Sequence, residues 1–424
     1  MAGIVEHLTS QGLAQLCVAD GEFGLLARGW NGGLRLEIGD RVVAISLTEG
    51  KVSAGGAERG APGIITLTAD LDSWRKLTEA KPDRFHTDIQ GLLGLGKMSL
   101  GADDVLFGQY YPASMRAIEL LRPDGWAPQV TPKPARAGTF DSPVGRYVHV
   151  DVGGQDYRVY VEEAGSGIPL LLQHTAGAHG SQYRHLFECR EITDHFRLIA
   201  YDLPFHGKSM PPMGPRWWAE KYELKGDFLR AFVVSLADAL QLHRPAFMGC
   251  SVGGMLALDL AAHHPEVFSA VISLEGALQV GGDRESMGTT WHPQVSNESK
   301  ARAMNSAMSP TSPEGYRRET MQVYAAGWPP AFFGDLYYYM VDYDIRHLAS
   351  HIDTSQVAVH ILNGEYDPSG TLEAGQEARG AIRGAQWTGM MEVGHFPMSE
   401  NPDAFIQYLL PTLEKVREDV KTRR

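Results

Sequence analysis

Three cysteines in 424 residues, Cys17, Cys189 and Cys250, provide neither a disulfide framework nor a paired Cys-x-x-Cys metal knuckle. No apolar run approaches the roughly 20 residues that a membrane-spanning helix needs. The first 20 residues lack the basic stretch and apolar core of a secretion signal. Clustered basic charge is missing too. Lys and Arg number 38 against 51 Asp and Glu, a formal charge of −13, which disfavours nucleic acid and anionic membranes as partners. No His-Glu-x-x-His spacing offers zinc a site, and no glycine pattern makes a phosphate loop or a dinucleotide fingerprint. A cytoplasmic protein with no metal, no organic cofactor and no membrane span is therefore expected.

An apolar fraction of 43% and a charged fraction of 21% fit a globular chain, and its length exceeds what one hydrophobic core usually serves. Pro123, Pro128, Pro132, Pro134 and Pro143 crowd one stretch, where fixed φ and missing amide donors favour an extended linker. The expected division is a small domain over 1–122, a linker over 123–137 and a larger domain over 138–424. In the first, strands at 34–38, 42–47, 64–67 and 97–100 alternate with helices at 71–80 and 112–121, an α+β pattern. In the second, short apolar runs at 169–173, 197–201, 246–249, 270–274 and 357–362 alternate with amphipathic stretches such as 228–240 and 255–263. That is the pattern of an α/β fold, a mostly parallel sheet covered by helices on both faces. Residues 276–350 are too long for an ordinary connection and are rich in aromatic residues, so a helical lid is expected there.

Gly249-Cys250-Ser251-Val252-Gly253-Gly254 is the most informative segment. It follows an apolar strand and precedes a helix, the context in which Gly-x-Ser-x-Gly presents a serine on a sharp turn. Three further segments occur in order: Tyr201-Asp202-Leu203-Pro204-Phe205-His206-Gly207-Lys208-Ser209, Leu362-Asn363-Gly364-Glu365-Tyr366-Asp367, and Val393-Gly394-His395-Phe396-Pro397 followed by Glu400-Asn401-Pro402. Together they make residues 140–415 resemble the α/β-hydrolase superfamily.

The resemblance implies a serine hydrolase. A serine hydroxyl needs a base to take its proton. His395, following Gly394 in a loop after a predicted strand, is the expected base for Ser251. Asp367 is the expected carboxylate on the far side of the imidazole. Glu275, closing the strand 270–274, is the alternative, because some superfamily members take their acid from that strand. The amide of Val252 is one expected oxyanion donor. The other should come from His174-Thr175-Ala176-Gly177-Ala178-His179-Gly180, where much of the family has His-Gly-x. Thr175 stands in the glycine position, which makes Ala176 the candidate donor. His174 should hold the loop. His179, Trp328 and Tyr338 are candidates for substrate contact.

The expected reaction is hydrolysis of a small, apolar or aromatic carboxylic ester or lactone. The same residues would also serve a C–C, amide or thioester hydrolase, and the same fold occurs as a non-catalytic small-ligand binder. Residues 20–122 are similar, through Ile64-Ile65-Thr66-Leu67-Thr68-Ala69-Asp70 and Gly96-Lys97-Met98-Ser99-Leu100-Gly101, to sterol-carrier-type lipid-binding domains. That likeness implies help with an apolar substrate or assembly of a homo-oligomer.

Overall fold

The computed structural model describes residues 4–134 and 136–422. Residues 1–3, Ala135 of the proline-rich stretch and residues 423–424 lie outside the described residues. The chain divides into two compact units, Met1–Pro128 with His292–Ser306, and Gln129–Trp291 with Ala307–Arg424. Part of the stretch expected to form a lid thus belongs to the first unit.

The first unit is built on five strands: β1 (Gly32–Ile38), β2 (Arg41–Thr48), β3 (Lys51–Ala54), β4 (Ile64–Ala69) and β5 (Met98–Gly101), in the order β3-β2-β1-β4-β5. Only β1 and β4 run parallel. Leu34, Leu36 and Ile38 of β1 alternate into the core with Ile45 and Leu47 of β2 and Ile65 and Leu67 of β4. Trp30 and Trp74 are fully buried, and each indole N–H has a backbone carbonyl, Gly63 O at 2.9 Å and Glu37 O at 3.0 Å. Asp70 and Asp103 cap the helices Leu71–Leu77 and Asp104–Glu119 by accepting from Ser73 and Leu106 amides. The sequence pattern gave no sign of the short β3.

The helix Asn297–Met304 completes this unit from far along the chain. Arg302 lies 2.5 Å from Glu119, with both side chains 3% exposed. Removing Arg302 takes the closer of two cations from buried Glu119, whose other cationic neighbour is Arg116 at 3.6 Å. Arg302→Met is therefore expected to lower stability by about 3–5 kcal/mol in urea denaturation. A loss under about 1 kcal/mol would mean that water reaches the pair.

The second unit carries β6 (Val144–Val152), β7 (Gln155–Ala164), β8 (Ile168–Gln173), β9 (Phe196–Tyr201), β10 (Ala246–Cys250), β11 (Ala270–Leu274), β12 (Ala358–Gly364) and β13 (Gln386–Met390). Their order is β13-β12-β11-β10-β8-β9-β7-β6, parallel except for the pairs β6–β7 and β7–β9. Every residue of β10, β11 and β12 is buried, as strands covered on both faces must be. From β8 the chain goes to β9 on one side and then to β10 on the other. Connections that diverge in this way open a crevice at the carboxyl ends of the strands. Among the described residues no helix is long and apolar enough to cross a membrane.

Candidate active site

Four strands end at the crevice, and each delivers one part of the site. β10 runs into Ser251, whose backbone is left-handed (φ +59°, ψ −114°) before the helix Val252–His263 begins. A non-glycine residue held there stores about 1–3 kcal/mol of strain. The turn closes only because its flanks lack side chains. A Cβ on Gly249 would lie 2.3 Å from Gly253 O, and one on Gly253 would lie 2.8 Å from Gln173 O. The first-turn amides of the following helix have no intrahelical acceptor. Cys250 points the other way and contacts His395 O through Sγ at 3.2 Å, so its thiol packs beneath the histidine loop.

β12 leads to Asp367, which is fully buried. Its Oδ2 lies 2.7 Å from His395 Nδ1, and its Oδ1 accepts from Ser369 N at 2.7 Å and Ser369 Oγ at 3.0 Å. Burial pushes the Asp367 carboxyl up, but His395 and the hydrogen bonds it accepts outweigh burial and hold it below its ordinary value. The His395 loop is anchored by buried Glu400, which accepts from the amides of Gly394 (2.8 Å), Ser309 (3.1 Å) and Phe396 (3.3 Å).

Glu275 closes β11 in a left-handed conformation (φ +53°) and is fully buried. Its Oε2 accepts the Gly364 amide at 2.7 Å, while Oε1 meets no donor among the described residues. Burial first, and then the Asp367 charge, push its carboxyl well up, and it lies within hydrogen-bonding reach of Asp367. The two neighbouring carboxyl groups are thus pushed apart, Asp367 down and Glu275 up.

β8 leads to the Thr175–Ala178 turn. Thr175 N donates to Gln182 Oε1 at 3.1 Å, Gly177 N to Asp335 Oδ2 at 2.7 Å and Ala178 N to Thr175 O at 3.2 Å. The Ala176 amide is the one in this turn with no acceptor among the described residues. The Thr175 hydroxyl, absent where the family has glycine, bonds Gln182 and Tyr324. His174 takes the neutral tautomer, with Nδ1 facing Thr175 O and Nε2 accepting from Leu203 N.

The three residues expected to contact substrate have the following neighbours. The Tyr338 hydroxyl bonds Asp259 at 2.9 Å, beneath the crevice floor. A π-helical turn over Tyr338–Asp342 adds a residue to the register, and the neighbouring Tyr339 reaches the site instead. Its hydroxyl bonds Ser369 Oγ at 2.9 Å and is within hydrogen-bonding reach of Ser251. His179 bonds Ser181 and lines a cavity of about 270 Å³ with Tyr160, Glu162, Asp202 and Lys208, a lining that includes neither Ser251 nor His395. Trp328 stacks on Phe205 at 5.4 Å and packs against Tyr222 and Trp217. Sequence reasoning also missed Ser369, although Asp-x-Ser after a strand is a signal for the side-chain-to-amide turn found here. Among the described residues no three His, Cys, Asp or Glu side chains converge to hold a metal ion.

The crevice thus combines a strained serine after a central strand, a carboxylate–imidazole pair at neighbouring strand ends and a turn whose Ala176 amide has no acceptor among the described residues. The family model of the alpha/beta hydrolase fold matches residues 168–402, more than half of the chain, and the protein belongs to that family. The chain is 32% identical over 112 residues to 3-oxoadipate enol-lactonase 2 of Acinetobacter baylyi, covering 26% of this chain and 38% of that protein. It is 24% identical over 276 residues to the pimeloyl-(acyl-carrier protein) methyl ester esterase of Chromobacterium violaceum, covering 60% of this chain and 98% of that one. Several curated relatives are matched over only 38–60% of their length. The solved thermophilic esterase from Thermogutta terrifontis shares the fold with a TM-score of 0.53 at 17% identity, over 64% of this chain and 99% of that one.

Proposed function

We propose that the protein hydrolyses a small, apolar or aromatic carboxylic ester or lactone through an acyl-enzyme on Ser251. The observation that carries this reading is the 2.7 Å contact between Asp367 and His395 Nδ1, in the same sheet as a serine on a strained elbow. With Nδ1–H held by Asp367, Nε2 is free to accept the Ser251 proton as Oγ attacks the carbonyl carbon. The Val252 and Ala176 amides take the oxyanion. His395 then gives its proton to the leaving alcohol. Water repeats the sequence, losing a proton to His395 while the acid departs and Ser251 is restored. The aromatic rings around the crevice support an apolar acyl group: Phe396 lies 4.9 Å from His395, Tyr324 5.5 Å from Phe396, and Phe332 6.0 Å from Tyr324. An ester and a lactone are also what the two curated relatives are named for. For the first unit we propose help with an apolar substrate or assembly, and no chemistry of its own, since Ser251, Asp367 and His395 all lie outside it.

The test is labelling of the purified chain by a fluorophosphonate, with a panel of short acyl esters, lactones, thioesters and amides beside it. Fast labelling at Ser251 with turnover of esters or lactones is expected. Absence of labelling would make the fold a binding protein, and turnover confined to thioesters or amides would move the bond class.

A further inference from the structure

The insertion reaches back into the turn that carries Ala176. Asp335 belongs to its helix Pro329–Tyr337 and is completely buried. Its Oδ2 accepts the Gly177 amide at 2.7 Å and faces His206 Nε2 at 2.9 Å, and its Oδ1 accepts the Tyr222 hydroxyl at 3.0 Å. His206 Nδ1 faces Pro204 O at 2.9 Å. Both ring nitrogens of His206 therefore meet acceptors, which only the imidazolium can satisfy. A buried carboxylate with three donors, one of them cationic, is costly to disturb and rigid where it sits. Gly177 is left-handed (φ +64°), and a Cβ there would lie 2.6 Å from Phe332 Cβ, so turn and helix meet without an intervening side chain.

This arrangement decides where the neighbouring amide points. Thr175 N is tied to Gln182, Gly177 N to Asp335 and Ala178 N to Thr175 O, so Ala176 N–H is the amide of this turn left without an acceptor among the described residues. We propose that Asp335 is a positioning residue for the oxyanion hole. The seating of the insertion's helix, through the Asp335–Gly177 contact, orients the Ala176 amide toward the tetrahedral intermediate. The inference rests on the reading of Ser251 and Ala176 given above. It adds that half of the hole is assembled by the insertion and not by the sheet alone. Asp335 touches no substrate, and its effect passes entirely through the turn.

Losing one oxyanion donor typically lowers turnover about 10²–10³-fold, and misorienting one should cost somewhat less. For Asp335→Ala the expected result is a fall in kcat of about 10–100-fold with KM within about threefold of the wild type. Phosphonylation of Ser251 by a fluorophosphonate should slow by a similar factor, because its transition state also develops an oxyanion. A trifluoromethyl ketone, which forms a tetrahedral adduct on the serine, should bind more weakly by that factor, while a carboxylic acid product binds as before. Asp335→Asn keeps the shape and an acceptor oxygen for Gly177. It should fold like the wild type and recover part of the loss. Equal phosphonylation rates and adduct affinities in the wild type and Asp335→Asn would overturn the proposal if Asp335→Ala fails to fold. Equal rates in all three, or a loss confined to KM, would overturn it directly. A wild-type chain that is not phosphonylated at all would instead sink the earlier reading of Ser251, and this one with it.

Discussion

Replacing Ser251 with alanine is expected to lower turnover at least about 10³-fold while the protein stays folded. The two halves of that expectation have separate physical grounds. Turnover falls because neither His395 nor the amides of Val252 and Ala176 has a covalent partner to act upon. Some rate above that in water should persist, because the amides can still polarise a bound carbonyl. The fold survives because alanine removes only the hydroxyl oxygen, and the left-handed elbow is held by the Ser251 amide on Leu274 O at 2.9 Å, which alanine retains. The measurement is kcat on an activated ester together with far-UV circular dichroism. Activity within tenfold of the wild type would place the nucleophile elsewhere.

Exchange of the two neighbouring carboxyl groups for amides should give opposite results. Asp367→Asn is expected to cost about 10³–10⁴-fold in turnover, because asparagine can turn its NH₂ toward His395 and select the wrong tautomer. Glu275→Gln should stay within about tenfold of the wild type, since a protonated carboxyl and an amide both donate to Asp367 and both accept from the Gly364 amide. A larger loss at Glu275 would transfer the acid's role to β11. Stability offers an independent check with a definite sign. The folded chain keeps a proton on Glu275 that the unfolded chain releases near the ordinary value of about 4.3. Wild-type stability should therefore fall as pH rises above that value and continue to fall up to the raised pKa, a slope Glu275→Gln lacks. Asp367 acts in reverse. Its contribution is present above the ordinary aspartate value and is lost as pH falls through the depressed one.

What could be read from the sequence was whatever is set by neighbours in the chain. Apolar runs marked β8, β10, β11 and β12 because strands buried on both faces need no alternation. The glycines around Ser251 marked a strand-turn-helix corner because only missing Cβ atoms let that corner close. The residues that depend on the insertion were not legible. Nothing local distinguishes Tyr338 from Tyr339; the π-helical turn that separates their directions forms only when the helix packs. His179, which follows the oxyanion turn, was a candidate for substrate contact. The Gly180 amide bonds Asp202 Oδ1 at 2.7 Å, and both residues line the cavity shared by His179 and Lys208. Asp335 and Gly177 are 158 residues apart in the chain, and no spacing announces their contact. Glu275 illustrates a different gap. Its place at a strand end was visible, but which carboxyl keeps the proton depends on burial and on who bonds whom.

The route of the chain through the two units has a consequence for biosynthesis. A ribosome delivers the strands of the first unit early, yet Arg302, the partner of Glu119, is made only after most of the second unit's sheet. At about 5–20 residues per second, roughly 10–35 s separate Pro128 from Arg302. During that interval the nascent first unit lacks the helix Asn297–Met304, and it cannot reach its final state in order of synthesis. The two units are thus interlocked in time as well as in sequence, and a stall between them would leave an early half that waits on its own last helix.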